Sequence, residues 1–139
     1  MDEIKVMLDD GAFMPERAHD ADAGMDIRTP VNIIVMPKDS AVISTGVHVF
    51  IPVGYVGMLK SKSGLNVKND ITGEGTIDAE YTGSIVVKLY NLGNDVVKLN
   101  RGDKVTQIVI LPIVTPKPVL VDKFPETDRG NNGFGSTGR

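Results

Sequence analysis

The stretch Gly75-Thr76-Ile77-Asp78-Ala79-Glu80-Tyr81-Thr82-Gly83 is the part of the sequence on which the interpretation of the whole chain depends. It carries two carboxylates and one tyrosine in a strand-like segment that begins and ends with glycine, which predicts a tight hairpin. Because glycine has no Cβ atom, such a hairpin can bring its backbone N–H and C=O groups directly against a flat ring. The alternative is an ordinary surface turn, since Asp, Gly and Thr are common turn residues.

The composition indicates one domain without covalent or metal support. At 139 residues the chain can bury a sizeable core, and the absence of cysteine excludes disulfides, thiolate metal sites and a cysteine nucleophile. The acidic start and the lack of a long apolar run predict a cytoplasmic protein with no signal peptide or membrane anchor. A net charge of −3 and only 5% aromatic residues argue against general nucleic-acid binding, so any bound polyanion must be small.

Short apolar runs separated by turn residues make up most of the chain. Fifteen glycines and eight prolines interrupt the sequence. The intervening runs suggest about ten short strands, such as the alternating segment Val47-His48-Val49-Phe50-Ile51. A short helix is plausible only after Ser63, which is the predicted N-cap. The sequence therefore predicts an all-β domain over residues 1–122, as a β-sandwich, jelly roll or barrel.

Two further segments carry groups that suit a phosphate. Lys62-Ser63-Gly64 lies at a strand-to-helix junction, where N–H groups and the helix dipole favour an anion, although a solvated basic turn explains it equally well. Gln107 lies in an alternating strand, so its amide needs a backbone partner in the core or a ligand at the edge. Three apolar residues are expected to share its face: Val105, Val109 and Leu111.

Two isolated titratable residues have competing interpretations. Asp26 follows Ala23-Gly24-Met25 at the start of a strand, where it is either a simple strand-entry carboxylate or an outer contact to a metal or a sugar. His48 has no visible carboxylate or serine partner in the sequence. We therefore predict a half-exposed strand histidine and not a catalytic base.

The last segment, residues 123–139, has no apolar pattern and cannot form a core. One interpretation of this glycine-rich end is a disordered tail. The other is a flexible arm that closes over a ligand, because Arg129 and the Ser136-Thr137 pair suit phosphates and Phe134 can stack on a ring.

Five segments, taken together and in this order, strongly resemble the five motifs of the trimeric dUTP pyrophosphatase (dUTPase) family. They are Ala23 to Ile27, Lys62 to Leu65, Gly75 to Gly83, Gly102 to Ile108, and Arg129 to Gly138. The resemblance implies a jelly-roll or distorted β-barrel subunit in a homotrimer, with each active site assembled from all three chains. It also implies Mg²⁺-dependent hydrolysis of dUTP to dUMP and pyrophosphate, which keeps uracil out of DNA and supplies dUMP for thymidylate synthesis.

The resemblance assigns roles in the nucleoside half of the site. Asp78 would activate the water that attacks the α-phosphorus, and Tyr81 would pack under the deoxyribose and exclude a 2′-hydroxyl. Backbone groups of the hairpin would recognise the uracil edge, which involves Gly75, Thr76 and Ile77.

The resemblance also assigns the phosphate contacts, the metal and the arm. The phosphates would be bound by Lys62, Ser63, Gly64 and Gln107, and Asp26 would hold the hydrated Mg²⁺ through water. In the closed arm Phe134 would lie over the uracil. The remaining arm contacts would come from Arg129, Gly135, Ser136 and Thr137.

One position departs from the family pattern, and the sequence argues against two alternative functions. The family usually has arginine where this chain has Lys62, which keeps the charge but loses the bidentate fork. The dCTP deaminases are similar in fold but need a glutamate in the strand after the hairpin, where this chain has Lys88. A non-catalytic nucleotide-binding β-sandwich is the other alternative, and the presence of all the expected catalytic side chains argues against it.

Overall fold

Strands dominate the computed structural model, which describes residues 3–135 and 138. In that part of the chain there are eleven strands and one helix, so the predicted all-β class with one short helix is confirmed. In chain order they are β1 (Lys5–Leu8), β2 (Gly24–Arg28), β3 (Ile33–Val35), β4 (Ser40–Ser44), β5 (Val47–Phe50), β6 (Tyr55–Lys60), α1 (Ser63–Asn69), β7 (Ile71–Thr72), β8 (Gly75–Ile77), β9 (Val86–Asn91), β10 (Val97–Leu99) and β11 (Lys104–Pro112). Among the described residues no helix has the length and apolar character needed to cross a membrane.

The strands pair into four antiparallel groups. The largest is a four-stranded sheet in the order β2-β11-β6-β8, in which the nine-residue β11 lies between β2 and β6. A three-stranded sheet has the order β4-β9-β7, and β1-β5 and β3-β10 form two ribbons. Side chains of β9 alternate between buried and exposed, as expected for a strand with one face on the core.

The core between these sheets is aliphatic. Its fully buried members include Ile27, Ile43, Leu89 and Ile108 from four different strands. Branched side chains pack well on a pleated surface, so the same residues that favour strands locally also fill the interior.

An irregularity in β11 changes which residues share its faces. Pairing with β2 shifts register between Lys104 and Thr106, and both Val105 and Thr106 are buried. The prediction that Val105 shares a face with Gln107 is therefore wrong, because the extra residue of a bulge restarts the alternation.

The Gly75–Gly83 segment connects two sheets and is not a hairpin of paired strands. Its strand β8 pairs with β6, whereas the following β9 pairs with β4 and β7. The chain turns between Asp78 and Tyr81, with Glu80 in the left-handed region at φ +64°. The predicted hairpin is wrong because Ile77 and Ile85, on either side of the turn, are both buried while the chain passes between different sheets.

Helix α1 begins one residue away from the prediction. Lys62, in an extended conformation, is the N-cap residue, and no side chain caps the helix. Ser63 is already the first helical residue, so its hydroxyl does not act as the predicted cap, which requires an extended backbone.

Gly57 of β6 gives a test of the core packing. A Cβ atom there would lie 2.6 Å from Cδ1 of Ile51 and 2.8 Å from Cδ1 of Ile108. We expect Gly57→Ala to lower the free energy of unfolding by about 1–3 kcal/mol through overpacking. Gly64→Ala is the control, because a Cβ at Gly64 meets nothing within 4 Å and alanine favours a helix. Thermal and urea unfolding measure both, and equal stability of the two variants would contradict this packing.

Candidate active site

Asp26 lies at the centre of a cluster of charges on the four-stranded sheet. Its side chain is only 6% exposed, and its two oxygens accept hydrogen bonds from the ammonium groups of Lys62 and Lys104. The Lys104 pair measures 2.6 Å. Burial by itself raises the pKa of Asp26, but the hydrogen bonds and charges of Lys104 and Lys62 outweigh it and lower the pKa below its ordinary value. Asp26 therefore stays ionised and orients both lysines.

Gln107 lies beside this cluster. In the register of the sheet it is opposite Asp26 on one side and Lys60 on the other. Its Nε2 donates to the carbonyl of Ser61 at 3.2 Å, so within the chain the partner of this amide is a backbone carbonyl. A Cβ atom at Gly24 would lie 2.4 Å from Gln107 Oε1, so glycine in β2 makes room for this amide.

Ser61 was not anticipated from the sequence as a positioning residue. Its hydroxyl accepts from the Gly73 N–H at 3.1 Å and lies 3.0 Å from the Thr72 hydroxyl. One residue thus connects Gln107, through its carbonyl, with the chain that leads into β8. A serine between two lysines gives no such signal in the sequence, because its partners are distant along the chain.

The exposed residues Ser63 and Gly64 begin α1 next to Lys62. A Cβ at Gly64 would meet nothing within 4 Å, so the chain itself does not require glycine here. The surface above Lys62 is therefore open to a ligand.

The Gly75–Gly83 segment borders a cavity of about 270 Å³. Its lining residues are Thr76, Ile77, Asp78, Tyr81, Ser84 and Val86. Asp78 is exposed at this cavity. Gly75 begins β8, and a Cβ atom there would lie 3.2 Å from Leu59 Cδ1. Four of the five predicted nucleoside residues therefore line this cavity, and Gly75 does not. Ser84 and Val86 are lining residues that the sequence did not suggest.

Tyr81 packs against the backbone of Gly83. A Cβ atom at Gly83 would lie 2.2 Å from the tyrosine oxygen and 2.5 Å from Cζ. The Tyr81 hydroxyl also donates to the carbonyl of Ser84 at 3.2 Å. The Tyr81 ring therefore lies in the space that a side chain at Gly83 would occupy. The sequence did not predict this role for Gly83.

His48 has a partner that the sequence did not reveal. It lies in β5 with its side chain 19% exposed, so the predicted strand histidine is confirmed. Its Nε2 lies 3.2 Å from Oδ1 of Asp9, a carboxylate partner that was not visible in the sequence. Asp9 is distant in sequence, and it reaches His48 because β1 pairs with β5.

The arm residues make local contacts in the part of the chain that the structure describes. Arg129 Nε donates to the carbonyl of Asn132, and Phe134 is fully exposed. Gly135 is also exposed, at φ +85°. Ser136 and Thr137, which the sequence placed in the site, lie outside the described residues.

The donor set limits the kind of metal site that is possible. No group of three His, Cys, Asp or Glu residues that could hold a metal occurs within residues 3–135 and 138. The carboxylate of Asp26 contacts the phosphate-binding candidate Lys62, and its oxygens already accept from two lysines. This arrangement fits a magnesium ion that is bound by ligand phosphates and water, and it does not fit an all-protein cage.

Comparison with known proteins shows the family to which the chain is similar. A family model described as dUTPase matches residues 10–138. The chain is 38% identical to the deoxyuridine 5′-triphosphate nucleotidohydrolase of Corynebacterium efficiens, covering 100% of this chain and 80% of that protein. It is 41% identical to the protein of that name from Clostridium novyi, covering 91% of this chain and 92% of that protein.

The solved structures give the same result for the fold. The dUTPase of Staphylococcus bacteriophage 80alpha with dUpNHpp matches with a TM-score of 0.90 at 34% identity, covering 100% of both chains. A mutant dUTPase from phage phi11 of S. aureus, described with a structural Mg(II) ion, matches with a TM-score of 0.83 at 33% identity, covering 90% of this chain and 100% of that one. The predicted jelly-roll fold is therefore confirmed. The chain belongs to the dUTPase family.

Proposed function

We propose that this protein hydrolyses dUTP to dUMP and pyrophosphate. The observation that carries the proposal is the exposed carboxylate of Asp78 at a cavity lined by Tyr81, in a chain that matches named dUTP nucleotidohydrolases over nearly its full length. Removal of dUTP would keep uracil out of DNA, and the product dUMP would supply thymidylate synthesis. The cytoplasmic location expected from the sequence stays a prediction.

The nucleoside would bind at the Gly75–Gly83 segment. Its cavity of about 270 Å³ is lined by the apolar side chains of Ile77 and Val86 and by Tyr81, which suits a base and a deoxyribose. With the ring held against Gly83, the sugar would lie on Tyr81 and a 2′-hydroxyl would have no space. Backbone groups of Gly75, Thr76 and Ile77 would recognise the uracil edge.

Asp78 would be the general base. An exposed carboxylate at the mouth of the cavity can accept a proton from a water molecule and align it with the α-phosphorus. The attacking oxygen forms a bond to that phosphorus while the bond to the bridging oxygen breaks, and pyrophosphate leaves.

The triphosphate would bind at the charge cluster of the four-stranded sheet. Lys62 and Gln107 are the predicted phosphate contacts, with the N–H groups of Ser63 and Gly64 at the exposed start of α1. The geometry adds Lys104, because it shares Asp26 with Lys62. Two ammonium groups on one carboxylate leave a net positive charge, and this compensates in part for the lost bidentate arginine.

Magnesium would supply further neutralisation of the phosphate charge. Asp26 would contact it through water, since both carboxylate oxygens are engaged by lysines in the free chain. Ionised Asp26 and the lysines keep their orientation in the absence of the ion, so the chain contributes a prepared surface for the complex of metal and nucleotide.

The active unit would be a homotrimer with shared sites. Beyond β11 the chain exposes apolar side chains, including Val114 at 88% and Leu120 at 98%, which an isolated subunit would leave in water. We propose that this extended segment packs on neighbouring subunits. Residues 123–139 would then form the arm, and Phe134, Arg129 and Gly135 would close over a neighbour's nucleotide together with Ser136 and Thr137.

The first test is a pyrophosphate-release assay with Mg²⁺ across dUTP, UTP, dTTP and dCTP. We expect turnover of dUTP and at least about a hundredfold lower kcat/KM for the others. The cavity would exclude the 2′-hydroxyl of UTP and the methyl group of dTTP, and the backbone groups that recognise the uracil edge would not match cytosine. Ammonia release from dCTP would instead support a deaminase. Binding of dUTP without pyrophosphate release would support the non-catalytic alternative.

The contact between Tyr81 and Gly83 predicts a change in sugar selectivity. In Gly83→Ala the added methyl group displaces the ring, so we expect the ratio of kcat/KM for dUTP over UTP to fall about tenfold. Tyr81→Phe is the control, because it keeps the ring and removes only the hydrogen bond to Ser84. If Gly83→Ala keeps the wild-type ratio, the proposed sugar contact is wrong.

Sharing of sites between subunits predicts complementation. Asp78→Asn should bind dUTP but lose about 10²–10⁴-fold in kcat, and a chain ending before Arg129 should also be nearly inactive. If Asp78 and the arm of each site come from different chains, refolding the two variants together in equal amounts restores about a quarter of the sites. No recovery in a mixed trimer confirmed by mass would show that each chain completes its own site.

A further inference from the structure

His48 is a titratable residue that the proposed reaction does not use. It lies in β5 opposite Met7 of β1, and its side chain is 19% exposed. Nδ1 is 2.8 Å from the carbonyl oxygen of Thr82, and Nε2 is 3.2 Å from Oδ1 of Asp9. Both partners are acceptors. Only the imidazolium has two N–H donors, so the charged form satisfies both contacts at once.

Thr82 lies between Tyr81 and Gly83 in the chain, and these two residues pack against each other. A shift of the Thr82 backbone would therefore change the position of the Tyr81 ring. The turn before it holds Glu80 in a left-handed conformation, which a non-glycine residue adopts at a cost. In the described part of the chain, His48 is the only side chain from outside the segment that is hydrogen-bonded to residues 78–82.

We propose that His48 is a positioning residue for the nucleoside: it holds the Thr82 carbonyl and thereby the Tyr81 platform, with Asp9 orienting its ring. The inference rests on the proposed function, since the platform is taken to bind deoxyuridine. His48 does not touch the reacting atoms in this account, so it acts on substrate affinity more than on turnover.

The contact strengthens when His48 is charged. The hydrogen bond to the Thr82 carbonyl raises the pKa of His48 above its ordinary value; burial opposes this, and Asp9 adds to the rise. Of the other charged groups nearby, Lys5 of β1 lines a surface cavity together with His48 and Thr82. Asp78 and Glu80 of the segment form no ion pair with His48 among the described residues.

The sign of the pH effect follows from the raised pKa. The full contact is present below about pH 6.5, the unperturbed histidine value, and is lost as the pH rises through the higher pKa of folded His48. The neutral ring can still donate from Nδ1 to Thr82, but the Nε2 lone pair then faces the Asp9 carboxylate. Substrate affinity should therefore weaken as the pH rises through this raised pKa.

The test compares the wild-type protein with His48→Gln, Asp9→Asn and His19→Gln across about pH 5.5 to pH 9. His19, the other of the two histidines, is the matched control. Like His48 it lies near a carboxylate, with Nδ1 3.5 Å from Asp22 Oδ2, but its side chain is 83% exposed. KM and kcat for dUTP are measured for each protein. ¹⁵N NMR of the wild-type ring nitrogens reports the charge on His48 independently of activity.

For the wild type and His19→Gln we expect the KM for dUTP to rise about two- to fivefold as His48 loses its charge, with kcat following a separate profile. His48→Gln should lose this KM transition and have a raised KM at low pH. Asp9→Asn should keep a low KM across the range, because the asparagine amide can donate to Nε2 of the neutral ring and so rescues the geometry.

Three outcomes would overturn the inference while leaving the proposed function intact. They are a wild-type KM transition that persists in His48→Gln, an Asp9→Asn variant that titrates like the wild type, and a ring that NMR finds neutral at the lowest pH. Absence of dUTP hydrolysis in the wild type and in His19→Gln would instead overturn the proposed function. If His48→Gln does not fold, Asp9→Asn still tests the inference, because it leaves His48 in place and changes only the partner of Nε2.

Discussion

The ion pairs of Asp26 with Lys62 and Lys104 are the interaction on which the rest of the candidate site depends. A nearly buried carboxylate is costly to desolvate, and buried ion pairs often contribute little net stability. Their effect here is geometric, because one anion on β2 orients two cations, one beside α1 and one at the start of β11. Loss of either lysine would leave the buried charge only partly compensated. The sheet thus carries a rigid, positively charged surface before any ligand arrives.

Two glycines that leave room for a neighbouring side chain are the second feature of this site. Gly24 allows the Gln107 amide to lie against β2, and Gly83 allows the Tyr81 ring to lie against its own loop. In both places a functional side chain occupies the position that a Cβ atom would take. The neighbouring backbone therefore restricts the functional group without a hydrogen bond to it. Such contacts are sensitive to a single methyl group, since close-packed atoms cannot move apart without cost.

Several features of the site follow from strand pairing and could not be predicted from the sequence. The bulge in β11 moves Val105 into the core, and pairing of β1 with β5 brings Asp9 to His48. Lys104 directly follows Arg101-Gly102-Asp103 in the sequence, where nothing indicates that it shares Asp26 with Lys62. Each of these contacts joins residues from separate strands, whereas sequence patterns report only on near neighbours.

The sequence by itself determined the all-β class, most strand positions and the segments that carry the candidate chemistry. Alternation of apolar residues, glycine and proline is a local property, and so are the motifs around Asp78 and Gln107. Only the tertiary structure decided that the Gly75–Gly83 segment crosses between sheets, that Gly83 supports Tyr81, and which partners hold Asp26 and His48. The physical reason is that pairing register and side-chain contacts are set by the packing of the whole chain around one core.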